Sequence, residues 1–277
     1  MDPITVILWC AVGAIALVAL AFVIFIVLIA PGHPRDVRAF SSVKFAHRGL
    51  HGGTRVENSM SAFSAAIDAG FGIELDVRLS SDGVLVVHHD DELGRVVNGK
   101  GRVDSYTAAE LCRMHLGDSD DCIPTFDEVL ALVDGRVPLL VEIKEDAGSS
   151  AVSTAAAQRL SSYTGSYIVE SFNPLSLKNF KKILPKTTCG FLSTYFYAKE
   201  KFKKPLYFLL QNLLTNRISS PAFIAYDRGY GRRLPLRLAR LLGATTFAWT
   251  VRSREEELAA RRDGFDSVIF EGYIPEK

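Results

Sequence analysis

Charge of one sign is what this chain most lacks: 32 Lys and Arg stand against 31 Asp and Glu, for a formal net charge of +1 over 277 residues. That balance excludes the concentrated basic face a nucleic-acid partner requires, so no nucleic acid is expected. Cysteine is scarce as well. Cys10, Cys112, Cys122 and Cys189 show no Cys-x-x-Cys metal spacing and no disulfide framework. They read as free thiols, which points to a reducing compartment. No Gly-x-Gly-x-x-Gly follows the first strand-like run, which disfavours a doubly wound dinucleotide fold. Internal repeats and low-complexity segments are also missing.

One long apolar run is present. Ile4 to Ala30 contains no charged side chain. As a helix it would reach roughly 40 Å, against an apolar bilayer core of about 30 Å. A cleavable signal peptide is the rival reading. It is disfavoured because Met1-Asp2-Pro3 carries no basic residue and the run is too long. Residues 1–30 therefore read as a single-pass transmembrane anchor, 31–42 as a linker and 43–277 as one catalytic domain. Asp2 alone precedes the span, whereas Arg35, Arg38 and Lys44 follow it, so the positive-inside rule places that domain in the cytoplasm.

Beyond the linker, short β-branched runs alternate with helical patterns. The spacing predicts parallel strands at 43–47, 72–76, 138–144, 166–172, 187–192, 222–227, 246–251 and 266–270. Helical patterns at 59–69, 125–133, 175–184, 234–242 and 254–262 lie between them. The fold class this predicts is α/β, a (β/α)8 TIM barrel preceded by one transmembrane helix. One stretch breaks the rhythm. Runs 77–80 and 84–88 flank Ser81-Asp82-Gly83, which reads as a hairpin, because a tight turn cannot join parallel strands. The hairpin would bring residues near His89 back beside Glu74 and Asp76.

Barrel active sites lie at the C-terminal ends of strands. Those ends supply His47-Arg48-Gly49, then Glu74 and Asp76, then Glu142 and Lys144, with His89-Asp90 arriving from the hairpin. Strand alternation puts Glu74 with Asp76, and Glu142 with Lys144, on common faces. Charged groups facing a barrel interior are costly unless paired or metal-bound. Three carboxylates with a lysine therefore suggest a hard-cation site beside an anion site, with oxygen ligation favouring Ca2+ or Mg2+. A simple Glu142–Lys144 rim pair is the bland alternative. Among the other histidines, His33, His51 and His115 read as surface or linker residues, and His88 as structural.

Phe45-Ala46-His47-Arg48-Gly49, Glu57-Asn58, Glu74-Leu75-Asp76-Val77 and the segment Asp82–Asp90 follow one another in an order that resembles the glycerophosphodiester phosphodiesterase family. Leu93-Gly94-Arg95, Pro124-Thr125-Phe126, Val141–Lys144, Ser171-Phe172 and Trp249-Thr250-Val251 extend the resemblance across the domain. It implies a TIM barrel of the phosphatidylinositol phospholipase C-like kind. His47 and His89 would be the acid/base pair. Glu74, Asp76 and Glu142 would ligate one divalent cation, while Arg48, Lys144 and Trp249 would contact substrate. The implied reaction is hydrolysis of a glycerophosphodiester to an alcohol and sn-glycerol 3-phosphate. Lysophospholipase D or phospholipase C-like action on membrane lipid is an alternative, with a lysophospholipid as substrate. A non-catalytic lipid- or phosphate-binding membrane protein is a third reading, disfavoured because a binder needs no acid/base pair.

Glu57-Asn58 is either support for the site or a helix cap. Two departures from the family pattern stand near the expected pocket wall. Phe270-Glu271 replaces a usual Thr-Asp pair, and Arg252 stands where a small polar residue is common. Both bear on the substrate alcohol. The connection 193–217 is rich in aromatic and basic residues, among them Tyr195, Phe196, Tyr197, Lys199, Lys201, Phe202, Lys203, Lys204, Tyr207 and Phe208. It is expected to touch the membrane, lysines to anionic head groups and aromatics into the interface, unless it is an ordinary amphipathic barrel helix.

Overall fold

The computed structural model of the chain describes residues 2–32, 37–200 and 203–276. His33 and Arg35 of the expected linker, and Lys201 and Phe202 of the long connection, lie outside the described residues. Helix α1 (Pro3–Ile29) begins where the Asp2 carboxylate accepts a hydrogen bond from the Thr5 N–H at 2.9 Å. With a mean hydropathy of 3.3 over an 18-residue window, it is long and apolar enough to cross a membrane.

The elements that follow are β1 (Phe45–Ala46), α2 (Met60–Asp68), β2 (Gly72–Leu79), β3 (Leu85–Val87), α3 (Ala108–Leu111), α4 (Phe126–Val133), β4 (Leu139–Ile143), α5 (Ala151–Leu160), β5 (Tyr167–Ser171) and α6 (Pro174–Ile183). Then come β6 (Cys189–Ser193), α7 (Phe196–Lys199), α8 (Pro205–Gln211), α9 (Asn216–Ser219), β7 (Phe223–Asp227), α10 (Leu234–Leu241), β8 (Thr245–Val251), α11 (Arg254–Arg262) and β9 (Ser267–Phe270). All strands except β3 are parallel, and β9 returns to pair with β1, so eight strands close a barrel. Each strand expected from the sequence is present, with slightly shifted ends. The hairpin is present too: β2 pairs antiparallel with β3, Val77 opposite Val87, and Gly83 takes φ +79° at the turn.

Alternation along the strands divides the core in two. Ile73, Leu75 and Val77 of β2, with Leu139, Val141 and Ile143 of β4, face the helices. Leu140, Ile168, Leu192, Phe223, Phe247 and Ile269 face inward and fill the barrel floor with Phe45. Phe223 stacks on Phe247 at 4.7 Å between centroids. Gly190 is required there, because a Cβ would run into the Phe223 ring. Two residues further along each of several strands the inward side chain becomes polar. The plug of the floor is thus what lifts the charged layer to the mouth.

Helix α1 and the barrel are not joined by a loose tether. Ile29 is fully buried, and its carbonyl accepts from Asn216 Nδ2 at 2.8 Å. The Gly32 N–H donates to the Pro221 carbonyl at 2.7 Å. A helical turn at 37–40 follows, with Val37 buried in the floor. Because Pro221 lies two residues before β7, α1 meets the barrel at the N-terminal end of its strands, away from the mouth.

Candidate active site

The register of the sheet builds the charged layer. Asp76 of β2 stands opposite Glu142 of β4, and Glu142 opposite Glu170 of β5. Three carboxylates on neighbouring strands repel one another unless a cation intervenes. Glu74 lies one inward position below Asp76. Glu74, Asp76 and Glu142, all buried, each offer an oxygen within 4.8 Å of the others. In the structure Lys144 Nζ sits 2.7 Å from Glu142 and 3.2 Å from Asp76.

The electrostatics shows an unbalanced deficit of positive charge. Burial, reinforced by the neighbouring Asp76 and Glu142, pushes the Glu74 carboxyl well above its ordinary range. Burial likewise raises Glu142 to about 7, against the pull of Lys144. Burial raises Glu170 too, reinforced by Glu142. Asp76 goes the other way: burial opposes it, but Lys144, His89 and Arg48 hold it ionised. Glu170 Oε2 is buried without a hydrogen-bond partner among the described residues, and Asp76 Oδ1 forms no hydrogen bond beyond its ion-pair contact with Lys144. An all-oxygen, buried, partly unsatisfied donor set fits a hard divalent cation of the Ca2+ or Mg2+ kind.

Arg48 follows β1 with φ +54°, a left-handed turn that aims its backbone N–H at Glu74 Oε2, 2.8 Å away. Its guanidinium donates to Glu57 Oε1 at 2.7 Å and lies 3.4 Å from Asp76. Glu57 also receives both terminal nitrogens of Arg95. Asn58 Nδ2 donates to Asp76 Oδ2 at 2.9 Å, whereas Ser59 caps α2 by accepting from Ala62 N. The ambiguity at Glu57-Asn58 resolves: both support the site, and neither is the cap.

Each candidate acid/base histidine has a carboxylate partner on Nδ1. For His89 it is Asp90, at 2.8 Å. For His47 it is Glu271, also at 2.8 Å. Such a partner fixes the ring and favours the tautomer that leaves Nε2 open. Burial outweighs the charge of Asp76 and lowers His89 to about 4, so it is neutral near pH 7. Burial lowers His47 as well, opposed by its bond to Glu271.

His47, Arg48, Glu74, His89, Glu142, Lys144 and Trp249 line a single cavity, with Glu170, Phe172, Leu192 and Ile269 completing the wall. Asp76 lies against them through its contacts with Arg48 and Lys144. All eight site residues anticipated from the sequence are therefore brought together. Glu170 joins them without having been singled out, and Asp90 and Glu271, noted in the sequence but given no role there, join them as the histidines' partners. The Phe172 and Trp249 rings meet edge to face at 5.6 Å, an apolar wall beside the charged layer.

The matched family model is the glycerophosphoryl diester phosphodiesterase family, over residues 47–272. The chain belongs to that family. Its members are phosphoric diester hydrolases. A glycerophosphodiester phosphodiesterase of Caldanaerobacter subterraneus subsp. tengcongensis is 28% identical over 231 residues, covering 77% of this chain and 87% of the relative. Among solved structures, a glycerophosphodiester phosphodiesterase of Thermotoga maritima aligns with a TM-score of 0.64 at 26% identity, over 82% of this chain and 94% of the other. An Oleispira antarctica phosphodiesterase in complex with the product sn-glycerol-3-phosphate shares the fold, with a TM-score of 0.71 at 23% identity, over 84% and 94% of the two chains.

Proposed function

We propose that this glycerophosphodiester phosphodiesterase-family chain is a metal-dependent, membrane-anchored hydrolase. It would cleave glycerophosphodiesters to an alcohol and sn-glycerol 3-phosphate, using His47 and His89 as the acid/base pair. The observation that carries the reading is the in-register row Asp76–Glu142–Glu170 with Glu74 below it, facing two carboxylate-held histidines across one mouth. Glu74, Asp76 and Glu142 would hold one divalent cation, Ca2+ or Mg2+. When bound, that ion supplies positive charge to the phosphate and relieves the repulsion within the row.

Arg48 and Lys144 are the protein's own cations at the mouth, suited to bind the non-bridging phosphate oxygens. One imidazole, neutral at Nε2, removes a proton from the attacking oxygen, and the other delivers one to the departing alkoxide. The attacking oxygen is water directly, or the neighbouring glycerol hydroxyl aided by proximity, in which case water then opens the cyclic phosphodiester to sn-glycerol 3-phosphate. Glu271 and Asp90 hold the two rings and stabilise whichever is protonated. Trp249 and Phe172 provide an apolar wall for the alcohol portion.

Residues 1–30 form the anchor in this reading, 31–42 the connection and 43–277 the catalytic domain, on the cytoplasmic side. The anchor joins at the barrel floor, which favours a diester that diffuses to the mouth from water. A lysophospholipid is the second reading, favoured by one flank of the barrel. Leu206, Phe208 and Leu209 of α8 and Leu234 and Leu241 of α10 are exposed, with Lys203 and Lys204 beside them. α1 packs on α9 and α10 of that same flank, so part of the 193–217 connection would rest on the bilayer.

Alcohol release from glycerophosphocholine, glycerophosphoethanolamine and lysophosphatidylcholine by the full-length protein in micelles tests this, with Ca2+, Mg2+ or EDTA and a His89→Ala control. Metal-dependent release that the substitution abolishes is expected. Release that persists in EDTA, or no release from any of the three by folded protein, would refute it.

A further inference from the structure

Beside the carboxylate row lies a second cluster of different chemistry. His47, His51 and Glu271 each present a ligand atom, and the three atoms lie within 4.8 Å of one another. Barrel closure makes this pairing. β1 and β9 run in parallel, Ala46 beside Phe270, and the His47 N–H donates to the Phe270 carbonyl at 2.8 Å, which seats Glu271 next to His47. A pinned loop returns His51 to the same place. Gly49 turns with φ +82°, the Leu50 N–H donates to the Ala62 carbonyl at 2.9 Å, and the Gly52 N–H donates to the Arg55 carbonyl at 2.9 Å.

His51 was expected on the surface. Instead its Nε2 is buried with no hydrogen-bond partner among the described residues. His51 thus keeps a ring nitrogen unpartnered while offering a ligand atom within 4.8 Å of an ionised carboxylate and a second imidazole, a donor set suited to a transition metal. The donor types separate the two clusters. The row offers only oxygen, which suits hard cations, whereas two imidazoles and one carboxylate suit Zn2+ and leave room for water as a fourth ligand.

We propose that His47, His51 and Glu271 form a transition-metal site that takes Zn2+, distinct from the carboxylate row. By occupying His47, zinc stops turnover; this second half rests on the acid/base reading of His47. Zinc bonds of about 2.0–2.1 Å place tetrahedral donors about 3.3 Å apart, so the side chains need close by no more than about 1.5 Å. The positive charges facing the site are Arg48 and Arg252. Arg252 Nη2 lies 3.3 Å from Glu271 Oε2 and is what an incoming cation displaces.

The test uses full-length protein in micelles with Mg2+ in excess, and zinc competed against a chromophoric chelator. Wild type is expected to bind one zinc, His51→Ala to weaken that binding at least tenfold, and His51→Cys to recover it. Without zinc, His51→Ala keeps its rate; with zinc, its half-inhibiting concentration rises at least tenfold. Unchanged zinc affinity in a folded His51→Ala protein overturns the site, and equal inhibition of both proteins overturns the inhibitory role. A wild type that binds zinc through His51 but turns over no diester upholds the site and sinks the hydrolase reading instead.

Discussion

Glu170 stands directly across the sheet from Glu142, and its Oε2 meets no hydrogen-bond donor among the described residues. Burial pushes both carboxyls up, so in the absence of a cation Glu170 holds its proton to higher pH than an ordinary carboxyl. A glutamine would then imitate it in the metal-free protein but could not ionise when a cation arrives. Glu170→Gln is expected to leave the melting temperature in EDTA unchanged. It should weaken Mg2+ or Ca2+ binding by about 10–100-fold, the usual penalty for removing a group that supports metal ligands. Calorimetric titration measures it. A raised melting temperature with unaltered affinity would show Glu170 ionised and irrelevant to the cation.

Removing the metal is a separate prediction about the wild type. A ligand at 100 times its dissociation constant stabilises the fold by about 2.7 kcal/mol. Here part of that gain comes from ending repulsion among Glu74, Asp76 and Glu142. EDTA should therefore lower the melting temperature, and either Ca2+ or Mg2+ should restore it. A scan that does not respond to EDTA would mean that Lys144 alone neutralises the trio.

In the proposed mechanism Glu271 is a positioning residue, since it contacts His47 and reaches the chemistry through it. Glu271→Gln should cut kcat by about 10²-fold, within the range general acid–base catalysis contributes, and move KM little. The carboxylate raises the His47 pKa, so its loss should shift the His47 limb of the pH–rate profile to lower pH. Glu271→Asp should recover part of the rate. A drop in kcat with no movement of the profile would point to a purely structural part for Glu271.

The strands were legible because the barrel buries both their faces, so 72–76, 138–144 and 222–227 read as apolar runs interrupted only by inward charges. Those interruptions marked Glu74, Asp76 and Glu142. The same alternation, Ile168 then Glu170 then Phe172, marks Glu170 as inward too, and it was available to be read. Glu271 was different. It stood out only as a departure from the family pattern, because its partner is 224 positions away and the pairing depends on how β9 closes on β1. Arg252, the other departure, turns out to contact it. Helix α5 (AVSTAAAQRL) gave little signal, its small residues carrying no strong periodic pattern. His51 looked like a loop residue because nothing local reveals that the loop folds inward.

Glu57 ties the site to stability and pH. Burial pushes its carboxyl up, but hydrogen bonds from Arg95 and the charge of Arg48 prevail and hold it at about 2. The unfolded value is about 4.3, so the folded state binds the proton less readily. Its contribution is complete above about pH 5 and disappears as pH falls through about 2. Arg95 is half-exposed and screened, which limits the gain at pH 7 to about 1–2 kcal/mol. Unfolding free energies from urea titrations of wild type and Glu57→Gln should differ by that amount at pH 7 and converge near pH 2. A gap that persists at low pH would have to come from packing rather than charge.

The junction between α1 and the barrel leaves no room for a side chain at Gly32, where a Cβ would meet the backbone carbonyl of Ser220. Backbone cannot yield as a flexible side chain would, so Gly32→Val is expected to undock α1 from α9 and α10. The cost should be about 1–3 kcal/mol, as for other overpacked sites. Undocking also breaks the Gly32–Pro221 hydrogen bond and exposes the following turn, so trypsin should cut more rapidly at Arg38. At Gly13, in the middle of α1, a Cβ would meet open space among the described residues, and Gly13→Val is the control. On the proposed membrane-anchored reading both variants remain in the membrane after alkaline extraction, since neither shortens the apolar helix. Equal trypsin resistance in all three proteins would show that α1 is tethered to the barrel without being docked on it.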